Sequence, residues 1–484
     1  MSLQDQGKAP AQVNAKDGAT AVYSPTARRI VLVVTTMSAF ITPFLASSIN
    51  VALPSMAREF SLNAIMMSWV VTAYLLSATI FLVPFGRLAD IYGRKKMYLW
   101  GNALVAVSAL LAAFATSYSM LIFARILGGL ASSMVFGTGT AILVSIYPLQ
   151  QRGRVLGISV AGTYFGLSLG PLLGGWLTQY LGWRSIFLFI VPIGLITMAL
   201  IHRTIKKDWS EARGERFDLL GALLYSAGIY MLMHGLAKLP APIGFAVILG
   251  GFVTLVFFYI WESRTLHPVL NVKVFRHNLT FTFSNLAALI NYSATFAVTF
   301  MLSLFLQYIK ALTAVQAGYI LVFQPVVMFL FSPFAGRLSD RIEPRLVASA
   351  GMGFCALGLA LLIGIDRQTS LSYIITCLVL LGLGFALFTS PNTNAVMSSV
   401  DKRFYGVASG TLSTMRLTGQ MMSMGIVTMI ISLYVGSMQI SPASFAHFLQ
   451  ANRVSFIVFA LLCTLGVIAS LARGKVHADT DTLS

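Results

Sequence analysis

The chain has 484 residues, 57% of them hydrophobic and only 10% charged, with a mean hydropathy of +0.82. A soluble globule needs a polar surface that this composition cannot supply, so water-soluble enzymes and binding modules are excluded and a polytopic membrane protein is predicted. The formal net charge of +18 is spread over short loops between apolar runs, which marks it as topological and gives no reason to expect a nucleic-acid partner.

Residues 1–27 are polar, without an apolar core or cleavage pattern, and are expected to form a disordered cytoplasmic tail rather than a signal peptide. Apolar runs, each about 20 residues or more and so long enough to cross a bilayer, then follow at 30–54, 67–89, 97–116, 120–145, 155–178, 184–202, 217–237, 243–262, 278–308, 314–334, 345–365, 371–395, 405–434 and 454–472. Fourteen spans put both termini on one side. Of the 33 Lys and Arg residues, 25 lie in the tails and even-numbered junctions, six in odd-numbered junctions, and two, Arg125 and Arg416, inside spans. The positive-inside rule therefore places the termini and even-numbered junctions in the cytoplasm. Cys355, Cys377 and Cys463 sit in apolar spans without metal-ligand spacing, so they read as small lipid- or core-facing residues. No metal site and no cofactor is predicted.

Several motifs stand out in chain order. Asn50-Val51-Ala52-Leu53-Pro54 closes the first span, and the loop after the second reads Gly86-Arg87-Leu88-Ala89-Asp90-Ile91-Tyr92-Gly93-Arg94-Lys95-Lys96. Its glycines permit a tight reversal, and Asp90 can accept hydrogen bonds from Arg94 or from the N-terminal end of a helix in another part of the molecule. A basic loop that only enforced topology would need neither the acid nor the glycines, so a breakable latch is the reading favoured. The fifth span carries Gly157, Gly166, Gly170, Pro171, Gly174 and Gly175. That glycine density disfavours a plain helix and calls for close backbone approach. We expect Gly166 and Gly170 to touch a partner helix of the other half. Gly182-Trp183-Arg184-Ser185-Ile186-Phe187 opens the sixth span. Pro84-Phe85-Gly86-Arg87-Leu88-Ala89-Asp90 recurs as Pro333-Phe334-Ala335-Gly336-Arg337-Leu338-Ser339-Asp340 after the tenth. Two six-helix halves in parallel repeat, with two helices inserted between them, account for that spacing. The expected layout is a first bundle at 28–202, a linker at 203–216, the inserted pair at 217–262, a linker at 263–277, a second bundle at 278–472 and a tail at 473–484.

The loop pattern G-x-L-x-D-x-x-G-R-[KR]-[KR], the fifth-span glycines and the six-two-six plan together resemble the major facilitator superfamily, in its fourteen-helix drug/proton antiporter branch, over nearly the whole chain. The resemblance implies an all-α membrane fold of two six-helix bundles plus two inserted helices. It implies alternating access in the cytoplasmic (inner) membrane of a bacterium. It also implies efflux of amphipathic small molecules with proton as coupling ion, with the loop residues Gly86, Arg87, Asp90, Gly93, Arg94, Lys95, Gly336, Arg337 and Asp340 serving as a cytoplasmic gate. One position departs: where the branch carries an aspartate in its first helix, aligned back from Pro54, this chain has Leu45. None of its fifteen acidic residues falls at the middle of a span, so the buried titratable group that proton coupling ordinarily uses is missing.

Polar residues inside the spans mark the candidate substrate cavity, because such groups are costly in hydrocarbon and usually face a bundle interior or water. On the thirteenth span Ser409, Ser413, Arg416, Gln420 and Ser423 recur at steps of four and three as one stripe. Arg125, Asn50, Asn285, Asn291, Gln324 and Asn392 complete the set. Singly, each asparagine or glutamine is better explained by interhelical hydrogen bonding; the two arginines are expected to face the cavity, in a pocket that Asn50 and Gln420 could complete. With no acid at their depth, they favour a substrate or co-ion bearing a carboxylate or phosphate-like group. No phosphate-binding loop appears, which argues against ATP-driven transport, and no nucleophile-base constellation points to an enzyme. Export of an amphipathic compound by a monomer in the bilayer is the function favoured. Uptake or facilitated transport of an organic anion, and a non-transporting receptor, are the alternatives.

Overall fold

The computed structural model describes residues 24–205, 208, 210, 212–239, 241–270, 272, 278–400, 405–436 and 438–473. Fourteen helices among them are long and apolar enough to span a membrane. The first bundle consists of α1 (Pro25–Phe60), α2 (Ala64–Tyr92), α3 (Arg94–Ala113), α4 (Tyr118–Ile146), α5 (Leu149–Leu181) and α6 (Arg184–Thr204). The inserted pair is α7 (Leu219–Lys238) and α8 (Pro242–Arg264). The second bundle is α9 (Leu279–Ile309), α10 (Ala314–Ser339), α11 (Pro344–Leu362), α12 (Leu371–Ser398), α13 (Tyr405–Tyr434) and α14 (Phe445–Leu471). No strand occurs among the described residues. Because the spans alternate in direction, the α2–α3 connection lies at the same end as the start of α1; we call this the loop end and its opposite the far end.

Helices run past the apolar runs because polar caps, invisible to hydropathy, set their starts. Ser24 Oγ accepts from Ala27 N at 3.2 Å, Asn63 Oδ1 from Met66 N at 2.8 Å and Asn278 Oδ1 from Phe281 N at 2.8 Å. Thr313 and Gln316 form a reciprocal capping box at the start of α10. Two spans are interrupted. In α9 the Ala297 N–H leaves the helical ladder to donate to Ser423 Oγ of α13 at 3.0 Å, and a π-helical turn follows at Phe305–Ile309. In α10 the break between Leu321 and Phe323 precedes Pro325, which has no N–H to return to the Leu321 carbonyl.

The glycine helix corrects an expectation. Gly162, Gly166, Gly170 and Gly174 stand at steps of four on one face of α5, and that face lies along α1 of the same bundle, not against the other half. A Cβ on Gly166 would sit 2.5 Å from the Phe40 carbonyl, and one on Gly174 would sit 2.6 Å from the Ser48 Cβ. Ser48 Oγ donates to the Gly170 carbonyl at 3.0 Å. Only Gly175, turned about 100° from Gly174, reaches the second bundle, where it meets the Ala314 carbonyl of α10 at 2.6 Å from its would-be Cβ. The step of four selects the neighbour that runs alongside within the bundle, as small-residue stripes do in membranes.

Between the bundles, hydrogen bonds gather at the far end. Ser303 Oγ donates to the Asn50 carbonyl at 2.6 Å and Gln307 Nε2 to the Val51 carbonyl at 3.0 Å. Thr428 Oγ1 donates to Ser68 Oγ at 3.0 Å, and Val315 N donates to Gln179 Oε1 at 3.2 Å. Gly318 of α10 packs directly on the Pro171 carbonyl. Toward the loop end two positions on these faces are unopposed. Gly157 lies fourteen residues below Pro171 on one side of α5, and a Cβ there would meet nothing within 4 Å. Gly410 shares the face of Thr428, five turns away on α13, and is equally unopposed.

Replacing Gly166 by leucine should therefore clash inside the first bundle and lower the melting temperature of the detergent-solubilised protein, at a cost of about 1–3 kcal/mol or more. Gly157→Leu should leave it unchanged. Equal stability of the two variants would remove the packing argument.

Candidate functional site

The loop-end motif is built around a left-handed turn. Gly93 sits at φ 119°, a conformation that side chains resist, between the end of α2 and the start of α3. Asp90 Oδ1 accepts from Arg94 Nε at 2.9 Å and pairs with Nη2 at 2.8 Å. Arg94 Nη1 also donates to Ser145 Oγ of α4 at 3.5 Å, and further contacts come from the segment between the first bundle and the inserted pair. Asp208 caps the N-terminus of α3, accepting from Lys95 N at 2.8 Å and Lys96 N at 3.3 Å. Ala212 N donates to the Asp90 carbonyl at 3.0 Å. Glu215 takes Arg87 on one oxygen, which also lies 2.8 Å from His267 Nδ1. The Arg87 hydrogen bond, aided by the nearby positive charge of Arg87 and His267, holds the Glu215 carboxyl below its usual range. In the repeat, Gly336 lies against Ser390 and Arg337 is exposed; the Asp340 side chain lies outside the described residues. Asp208, Glu215 and His267 were not singled out from sequence, although three acids inside a linker with five basic residues are the signal that could have found the first two.

Arg125 and Arg416 do not share a pocket. The Arg125 guanidinium is buried inside the first bundle, where Nε donates to the Val70 carbonyl at 2.9 Å and the group lies 4.4 Å over the Tyr74 ring. It lines a small pocket with Leu45, Tyr74, Ser108, Ser132 and Phe187. Leu45 thus stands in the same pocket as Arg125, while Asn50 and Gln420 do not line it. Arg416 instead lies in the second bundle, 5.2 Å from the centre of the Tyr292 ring of α9. Its Nε is buried without a hydrogen-bond partner. Facing it from the first bundle is Tyr164 of α5, seven residues from both Gly157 and Pro171 and so on the same face. Ser332 of α10 and Thr389 of α12 also face the Tyr164 hydroxyl, yet their own hydroxyls are buried without a completed hydrogen bond.

The other candidates scatter. Asn50 and Gln307 lie at the far-end junction, and the Asn50 Oδ1 is buried and unpartnered. Asn285 Nδ2 bonds back to the Phe281 carbonyl at 2.9 Å. Asn291 is fully buried with neither amide atom hydrogen-bonded. Gln324 is buried beside Pro325 on α10, Ser413 Oγ returns to the Ser409 carbonyl at 2.9 Å, and Gln420 is half-buried on the Arg416 stripe. Asn392 is committed elsewhere: its Nδ2 donates to the Ser284 carbonyl at 3.1 Å and its Oδ1 accepts from Arg473 Nη1 at 2.8 Å. Arg473, assigned by sequence to the tail, is fully buried and also donates to the Pro344 carbonyl at 2.7 Å. Burial pulls its guanidinium down to about 10. Nothing in the sequence signals this burial, because a charge just past an apolar run looks like any other topological charge.

The sequence pattern of the Major Facilitator Superfamily matches residues 35–421 and 284–481. The riboflavin transporter RibZ of Clostridioides difficile (strain 630) is 27% identical over 445 residues, covering 91% of this chain and 96% of that protein. The cephamycin export protein CmcT of Amycolatopsis lactamdurans is 30% identical over 488 residues, covering 96% and 98%. The multidrug resistance protein Stp of Mycobacterium tuberculosis (strain CDC 1551 / Oshkosh) is 28% identical over 415 residues, covering 84% and 76%. Among solved structures, a bacterial homologue of the human lysosomal transporter Spinster, inward-facing and unoccupied, superimposes with a TM-score of 0.66 at 15% identity, covering 93% of this chain and 97% of its own.

If Glu215 fastens the linker to the loop motif, Glu215→Gln should speed limited tryptic cleavage at Arg213 and Arg216 severalfold at neutral pH. The ionic part of the clamp is fully present above the carboxyl's unfolded pKa and is lost as pH falls through its lowered folded value. Cleavage by an acid-active protease should accordingly accelerate only in strongly acid buffer. Unchanged cleavage in the variant would show that the pair does not hold the linker.

Proposed function

The chain belongs to the Major Facilitator Superfamily, and from that premise we propose that it exports amphipathic organic compounds across the bacterial cytoplasmic membrane by alternating access. The observation that carries the proposal is that faces packed between the two bundles at the far end are unopposed at the loop end. On α5 the face of Thr178 and Pro171 is sealed against α10, reaches Tyr164 at mid-depth, and ends at Gly157 with nothing opposite. On α13 the face of Thr428 is bonded to Ser68 and ends at the unopposed Gly410. A transporter loading from the loop end would have this shape, and the charge asymmetry assigns the loop end to the cytoplasm. The names of two relatives, an export protein and a multidrug resistance protein, support outward direction; the riboflavin transporter makes uptake the second reading.

Coupling through a first-helix carboxylate is not part of the proposal. Leu45 stands in the Arg125 pocket where a carboxylate would be needed, and Arg125 is already held by a carbonyl and a ring. The gating role is proposed for the loop motif: Arg87 pairs with the linker's Glu215 and Asp90 with Arg94 while the loop end is open, and these residues exchange partners when it closes.

With the three native cysteines replaced, Gly157→Cys and Gly410→Cys should react with a membrane-impermeant maleimide from the cytoplasmic side, at least tenfold faster than Ser68→Cys at the sealed end. Cells expressing the chain should retain less of an amphipathic fluorescent dye than vector controls. Reversed labelling would overturn the orientation, and undiminished retention of neutral, cationic and carboxylated dyes alike would overturn export.

A further inference from the structure

We propose that Arg416 anchors the carboxylate of an anionic aromatic or alicyclic substrate, in a site completed by Tyr164, Tyr292, Ser332 and Thr389. The assignment rests on the export reading above and names its substrate class. Its starting point is an arginine placed where the membrane gives it nothing to neutralise it. Among the described residues Arg416 makes no ion pair and no hydrogen bond; its one contact of note is the Tyr292 ring at 5.2 Å, and its Nε is buried and unpartnered. Unmet polar groups at this depth are retained where a cavity or a ligand satisfies them.

The neighbours are unmet in the same way, and they complement an anion. Ser332 Oγ and Thr389 Oγ1 are buried without a completed hydrogen bond and face a third hydroxyl, that of Tyr164 from the opposite bundle. Guanidinium and hydroxyls can together supply every hydrogen bond that a carboxylate accepts, with the planar guanidinium taking both oxygens. The walls are aromatic: Tyr292 meets Phe385 edge to face with ring centres 5.5 Å apart, which suits a flat apolar body next to the charge. The contributors come from α5 on one side and α9, α10, α12 and α13 on the other, so a ligand here would bridge the two bundles. Arg125 cannot substitute, because Val70 and Tyr74 occupy it inside the first bundle.

The test measures binding of 1-pyrenebutyrate and of the uncharged 1-pyrenebutanol to the full chain in lipid nanodiscs. Wild type should bind the acid at least tenfold more tightly than the alcohol. Arg416→Gln should abolish that preference while leaving alcohol binding intact, which also shows that the variant is folded. Arg416→Lys should retain part of the preference, having charge without the planar fork, and Arg125→Gln should retain all of it. A wild type that binds acid and alcohol equally, or a preference that survives Arg416→Gln, overturns the anion site and leaves amphipathic export standing. Failure of wild type to bind either probe overturns both the site and the amphipathic reading.

Discussion

The contact on which the arrangement of the bundles depends is the one between α5 and α10, where Gly318 rests on the Pro171 carbonyl and Gly175 on the Ala314 carbonyl. In hydrocarbon there is little hydrophobic gain in bringing two helices together, so close backbone approach and hydrogen bonding have to hold them. Side chains at either glycine would push the helices apart by their own thickness. The Ser303, Gln307 and Thr428 bonds add further polar contact at the same end. That concentration leaves the loop-end parts of the interface, where Gly157 and Gly410 are unopposed, with fewer polar ties.

Charge inside the membrane is handled in two opposite ways. A cation at the bilayer centre costs about 2.5–3.5 kcal/mol on insertion scales, which a protein offsets with partners or with water. Arg125 is enclosed, with a carbonyl on Nε and a tyrosine face beneath it. Arg416 is left with a single ring and a buried, unpartnered Nε. Two residues that composition treats alike therefore differ in what each can still bind. The distinction turns on backbone: the Val70 carbonyl is already the acceptor of a helix, and only its second lone pair makes it available to a guanidinium.

Much of the fold was legible because the bilayer imposes a length and a charge rule on the sequence. The fourteen runs became fourteen helices. What composition could not show was direction. Gly166 and Gly170 were correctly read as sites of close approach, yet the partner turned out to be α1, because a stripe at steps of four fixes a face and not the neighbour on it. The Arg416 stripe was found by periodicity, whereas Tyr164, Tyr292, Ser332 and Thr389 were not: tyrosines and hydroxyls are common in spans, and only their convergence from four helices distinguishes them. The break in α9 was equally hidden, since the Ala297 N–H at it donates to a hydroxyl on α13.

The loop end then raises a question of energy. In the proposed cycle the halves must exchange an open end for a closed one, and a large net cost in either direction would leave one state unpopulated. The linker supplies a way to keep the difference small. With the loop end open, Asp208 caps α3, Glu215 takes Arg87, and Asp90 keeps Arg94, so the motif's charges are not left bare. Closure would substitute partners of the second bundle for these and would not create pairs from solvated charges. The Arg87–Glu215 pair is partly exposed, and pairs of that kind contribute on the order of 1 kcal/mol or less, weak enough to be broken on each turn. The segments flanking the two additional helices thus do more than cover distance: by meeting at Glu215 and His267, they bring the inserted pair into contact with the loop on which the proposed gate depends.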